Sequence, residues 1–267
     1  MRTSATLLLA FAVSSCAHQA HQKLAVSKTS GLFQHESLLR AGGDRPRDCY
    51  DGDLKAYTLK AREQYLARAK SAAYWTEVGN CLAWHGEARE ARFFLGLALD
   101  LAKGKVEEAM VKNNLGVIHL RQGRVSRAYD LFREARELAP KLVTPAFNLA
   151  QLYTAQNMNK EALAILSQAP FRDSNDPDAL HLHAVANLQG GSLKAAGQYL
   201  ARIPETFQSR DDFAVTFAQW HVLEGRPDQA LKNLDQRQRL RAVNTDLLAE
   251  RVGREARALI AAREAKK

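Results

Sequence analysis

The sequence predicts an all-α fold of stacked helix pairs, and three recurrences at a single 34-residue spacing predict it. Small residues recur at two places, Gly116, Ala150, Ala184 and Ala218 at one and Ala128, Ala162, Ala196 and Ala230 at the other. Bulky apolar residues recur between them at Phe132, Leu166, Leu200 and Leu234. Gly123, Asn157, Gly191 and Gly225 recur at a third place, each a residue that tolerates a left-handed backbone. Small side chains let two helix backbones approach where they cross, and the bulky one fills the remaining space. Gly79, Gly86, Ala91, Leu95 and Ala98 repeat the pattern upstream, displaced by three residues that the polar stretch 103–108 absorbs. One such pair cannot bury its own apolar face, so five in succession imply a stack.

The segment Asn113 to Pro140 carries the full set: Leu115, Gly116, Gly123, Ala128, Phe132, Ala135 and Pro140. It resembles the tetratricopeptide repeat family, whose signature residues occupy those places. The resemblance implies a right-handed superhelix, an α-solenoid of about five helix-turn-helix repeats at 72–108, 109–142, 143–176, 177–210 and 211–244, within a solenoid spanning 72–244. Several positions depart from it. His183 stands where Leu is usual, Arg237 replaces a small residue, and Ser174 and Ala242 replace the helix-ending proline.

The elements follow in chain order. Arg2, the short apolar run Leu7 to Val13 and then Val13-Ser14-Ser15-Cys16 resemble a bacterial lipoprotein signal with its lipobox. That likeness implies a signal peptide over 1–15, cleavage before Cys16 and lipidation of its thiol and new amino group, since several acyl chains anchor stably where one is marginal. Ala17 follows, with no Asp to hold the protein in an inner membrane, so the expected place is the outer membrane, facing the periplasm. Residues 16–49 are polar and lack an apolar period, and read as the lipidated Cys and a flexible tether. Leu54, Tyr57, Leu59, Ala61, Tyr65, Leu66 and Ala69 predict an N-terminal capping helix over 50–71, with Asp51 and Asp53 available to cap it. Leu247, Leu248, Val252, Ala256, Leu259 and Ile260 predict a C-terminal capping helix over 245–267.

An oxidising compartment would leave Cys49 and Cys81 as the one possible intramolecular pair, either bridged or both reduced. The net charge is +9, and Arg2 would leave with the signal. Without an aromatic-interleaved basic motif this charge does not point to nucleic acid; a mixed-charge helical surface, anionic headgroups or an acidic partner accommodate it. Cys81 and His85 share a helical face, but no second pair of ligands stands nearby, so no metal is expected. Asp48, Asp51 and Asp53 suggest a calcium loop only until its twelfth place, which is Leu59 rather than Glu. No hydrolase or nucleotide motif occurs, so neither an enzyme, a cofactor nor a small-molecule substrate is expected.

In the family the concave surface lined by the first helix of each repeat binds partners. Carried over, that surface is Thr76, Asn80 and Trp84; Asn113, Asn114, Val117 and Arg121; Phe147, Asn148 and Gln151; His181 and Val185; and Val215 and Gln219. By the same resemblance Asn114 and Asn148 hold a bound peptide's backbone, with Trp84, Phe147 and Arg121 as anchors. The implied function is a membrane-anchored, non-enzymatic scaffold that binds a protein partner, similar in layout to repeat lipoproteins of type IV and Tad pilus assembly, whose partners include a secretin. The alternative is an adaptor that regulates a periplasmic peptidoglycan hydrolase or protease.

Overall fold

The computed structural model describes residues 39, 40, 49, 52–66, 71–238 and 243–266. Cys16 and the expected signal lie outside the described residues. Fourteen helices and no strand are found among the described residues. They are α1 Leu54–Leu66, α2 Ala72–Trp84, α3 Ala88–Leu101, α4 Lys105–Arg121, α5 Val125–Leu138, α6 Val143–Ala155 and α7 Asn159–Leu166. There follow α8 Ala169–Arg172, α9 Pro177–Gln189, α10 Leu193–Leu200, α11 Glu205–Gln208, α12 Asp211–Leu223, α13 Pro227–Asp235 and α14 Val243–Glu264. This is an all-α helical-repeat fold. Two compact units divide it, one running to Leu152 and the other starting at Tyr153.

The turns inside the pairs have one construction. Gly86, Gly123, Gly191 and Gly225 have positive φ, and Asn157 at φ 58° takes the same conformation. In each case the following residue donates its N–H back to a carbonyl five residues earlier: Glu87 to Leu82, Arg124 to His119, Met158 to Tyr153, Ser192 to Asn187 and Arg226 to His221, all at 2.8 to 2.9 Å. That bond satisfies a carbonyl the helix end would otherwise orphan, and it requires the left-handed residue just before it.

The unit ending at Leu152 packs α2 on α3 and α4 on α5. A Cβ on Gly116 would come within 2.6 Å of the Phe132 ring, and one on Gly79 within 2.6 Å of Leu95, so the bulky residue in each pair occupies space that only glycine leaves. Trp75 stacks on Phe94 with ring centroids 5.3 Å apart. Asp53 caps α1, its carboxylate accepting from the N–H of Lys55 at 2.9 Å and of Ala56 at 3.2 Å. A disulfide joins Cys49 to Cys81 on α2, with Cα atoms 4.8 Å apart. Leu39 and Cys49 fall within the stretch expected as a tether, and both are buried. That expectation is corrected at these two residues: polar composition hid one leucine and one cysteine with specific partners.

The unit starting at Tyr153 packs α9 on α10 and α12 on α13, with α14 lying on both α12 and α13. Leu180, Ala184, Leu200, Ile203, Phe213 and Phe217 form one core, and Ala218, Ala230, Val252 and Ala256 another. The second helices α7 and α10 are only eight residues long. Each is followed by a four-residue helix opened by a proline, Pro170 in α8 and Pro204 just before α11. These prolines stand 34 residues apart, and the missing N–H ends the helix one turn early. Ser174 therefore replaces a proline that has moved rather than vanished, and Ala242 lies outside the described residues. On α14 the buried stripe is Ala249, Val252 and Ala256, whereas Leu247 and Leu259 are exposed. Leu247 precedes Val252 by five residues, which at 3.6 residues per turn places it off the stripe.

Arg237, the charged residue at a small-residue place, is buried with its Nε 3.2 Å from the Asp211 carboxylate, and it also pairs with Asp246 on α14. A buried guanidinium needs such partners, and the two carboxylates supply them. Beside it the Gln238 N–H donates to the Ser209 carbonyl at 2.7 Å. His183, where leucine is usual, lies flat on Tyr199 with centroids 4.1 Å apart.

Candidate functional site

The first helices α2, α4 and α6 bring four asparagines into one buried row. Asn114 Nδ2 donates to Asn80 Oδ1 at 2.8 Å, Asn113 Nδ2 to Asn114 Oδ1 at 3.0 Å, and Asn148 Nδ2 to Asn113 Oδ1 at 2.8 Å. Each carboxamide is oriented by its neighbour, which fixes where its remaining donor or acceptor points. Three of the four, Asn113, Asn114 and Asn148, also bond one backbone. The Leu39 N–H donates to Asn114 Oδ1 at 2.8 Å, and its carbonyl accepts from Asn113 Nδ2 and from Asn148 Nδ2, each at 2.9 Å. Leu39 is only 6% exposed, so the row holds both polar groups of a residue whose side chain is also buried.

The other residues expected on this surface divide by exposure. Thr76, Val117 and Phe147 are buried, and Trp84, Arg121 and Gln151 are half-buried. Thr76 Oγ1 donates to the Ala72 carbonyl at 2.8 Å. Phe147, at 1% exposure, is a packing residue and not an anchor a partner could grip. Arg121 Nη1 donates to the Ala83 carbonyl at 3.0 Å, completing the carboxy-terminal end of α2. Trp84 and Gln151 reach the surface without either assignment. Cys49, Cys81 and His85 bring their ligand-type atoms within 4.8 Å of one another, but with the cysteines bridged neither sulfur is a thiolate.

In the unit starting at Tyr153 the corresponding residues make a different arrangement. His181 and Val185 on α9 and Val215 on α12 are buried, and Gln219 is half-buried. His181 Nε2 lies 2.8 Å from Thr216 Oγ1, whose own hydroxyl donates to the Asp212 carbonyl at 2.9 Å. With that proton spent, Nε2–H is the donor and the neutral imidazole keeps Nδ1 unprotonated. Burial lowers the His181 pKa to about 4, with Arg210 acting in the same direction and Asp212 and Asp178 opposing it. The His181 ring stacks on Phe213 at 4.1 Å, and the Arg210 guanidinium sits 3.8 Å from the same ring's centroid. Arg210 bonds both oxygens of Asp212 at 3.0 Å and Asp178 Oδ1 at 2.6 Å. The charges here satisfy one another. His181 and His183 stack on different rings, Phe213 and Tyr199, and do not form a joint site.

Neither Leu39 nor the closed charge cluster was foreseen from the sequence. The available signal for the first was the pair Leu38-Leu39, apolar within a polar stretch; for the second it was Asp178 and Asp212, one repeat apart. Residues 119–186 match the tetratricopeptide repeat family. Such repeats generally mediate protein–protein interactions and are typically non-enzymatic scaffolds. No curated protein matches the sequence.

Proposed function

We propose that the chain is a non-enzymatic adaptor, lipid-anchored through Cys16 to the outer membrane and facing the periplasm, which binds a protein partner on the surface of its first helices and aids assembly of an envelope complex such as a pilus or secretion machine. The observation that supports binding is the asparagine row, since two helices, α4 and α6, contribute three carboxamides to the backbone of one residue from elsewhere in the chain. Backbone bonds of this kind supply affinity with little demand on sequence, as in other modes of peptide capture. The anchor rests on the lipobox-like Val13-Ser14-Ser15-Cys16.

Photocrosslinking groups placed at Trp84 and at Gln151 in cells test the reading. Recovery of one envelope protein from both positions is expected, and a secretin or pilus subunit among the products supports the assembly role. Recovery of a cell-wall hydrolase moves the function to regulation, and no product from either position overturns partner binding on this surface. Radiolabelled palmitate incorporation that is lost in Cys16→Ser checks the anchor, and unchanged incorporation excludes it.

A further inference from the structure

The asparagine row binds the backbone of another part of the chain, at Leu39. Asn113, Asn114 and Asn148 together satisfy the N–H and the carbonyl of a single residue, a demand that no helix in the repeats makes and that only chain lying across them makes. Neither of the two helices that hold it, α4 and α6, is near it in sequence: Leu39 is 74, 75 and 109 residues from the asparagines that hold it. The disulfide then pins the same segment to α2 ten residues later, through Cys49. A carboxamide row of this kind is costly to bury without partners, because each unsatisfied amide group loses its hydration. Leu39 meets part of that demand while the segment is seated.

We infer that Leu39 is an intramolecular ligand of the row, and that a protein partner bearing an extended segment with a leucine at the matching place binds there only in exchange for it. The inference rests on the proposed function for the existence of a partner, but the occupancy stands without it. Covalent connection keeps the segment at millimolar effective concentration, so an external peptide of equal intrinsic affinity competes poorly until the segment is displaced. The row reads backbone, and the buried isobutyl group supplies what sequence preference there is.

Amide exchange and peptide binding on the full chain test this. Leu39 N–H in the native protein is expected to exchange at least tenfold more slowly than an unstructured amide. A fluorescent peptide of residues 35–43 is expected to bind Leu39→Asp at least tenfold more tightly than the native chain, and the same peptide with its central leucine replaced by Asp to bind neither. Should Leu39→Asp lose helicity, Leu39→Ala serves in its place. An unprotected Leu39 amide, or a peptide that binds both chains equally or neither, overturns the inference. Its failure is separable from that of the proposed function: envelope crosslinks from Trp84 and Gln151 with an unprotected Leu39 remove only the self-ligand, whereas a protected Leu39 with no crosslinks removes only the partner.

Discussion

The two units use the same places in the repeat for opposite chemistry. In the unit ending at Leu152 the fifth and sixth places of successive repeats carry Asn113, Asn114 and Asn148, neutral groups whose spare bonds go to a segment from elsewhere in the chain. In the unit starting at Tyr153 the same places carry His181 and Thr216, bonded to each other and backed by the Arg210, Asp178 and Asp212 ion pairs. One row is open to an added strand of backbone and the other is closed on itself. The repeat pattern therefore governs which helices cross and how closely, while the polar places on the first helices are left to be used for binding or for cohesion.

The largest expected effect tests the closed unit. Arg237→Ala leaves Asp211 buried without its guanidinium, and breaking a buried pair in that way costs about 3–5 kcal/mol. The loss should fall on α12, α13 and α14 and leave α2 to α5 unchanged, as read by hydrogen exchange and urea unfolding. A loss below about 1 kcal/mol would mean that the ion pairs do not hold this unit together. Then the contrast between the units would be one of composition alone.

The open unit relies on a covalent link instead. Cys49 and Cys81 are 32 residues apart, and closing a loop of that length stabilises by about 2–4 kcal/mol in the chain-entropy description. A chain carrying Cys49→Ser and Cys81→Ser, or the native chain under reductant, should lose stability in α2 to α5 and not in α9 to α14. Equal loss in both units would show that they unfold as one and would blunt the comparison.

Much of the architecture is legible in the sequence because it depends on side-chain size at fixed spacing. Gly116 opposite Phe132, the positive-φ turns at Gly123 and Asn157, and the small Ala184 and Ala218 all express steric rules that a single chain records locally. The early end of α7 and α10 was equally recorded, in Pro170 and Pro204, but lies off the family's usual proline place. The occupied row is different in kind. Asn113, Asn114 and Asn148 were visible as carboxamides on the right surface, but their ligand is a residue 74 to 109 positions away in a stretch with no period. Composition describes such a stretch as tether, because a single buried leucine leaves no pattern. Arg237 was visible as a departure, while its reason, two carboxylates on two other helices, is visible only in three dimensions.

The smallest effect separates the units by proton uptake. His181 is held neutral by burial, its pKa lowered to about 4, and His183 and His221 in the same unit are lowered to about 4 by the same cause. Because the folded pKa lies below that of the unfolded chain, near 6.5, the unfolded state takes up the proton first. The stability contributed by the neutral imidazole is complete above that value and is lost as pH falls toward 4. For His181 alone the loss between pH 7 and pH 5 is roughly 2 kcal/mol. His181→Phe keeps a ring against Phe213 but cannot titrate, so its stability should fall less steeply over that interval. In the other unit His119 is lowered by burial and by Arg124, Arg92 and Arg127, so some slope is expected there as well. The asparagine row adds none of it, since a carboxamide has no proton to gain in this range. Acidification to pH 5 should therefore loosen α9 and α12 while the Leu39 amide remains protected. Loss of Leu39 protection at the same pH would mean that the two rows are not independent.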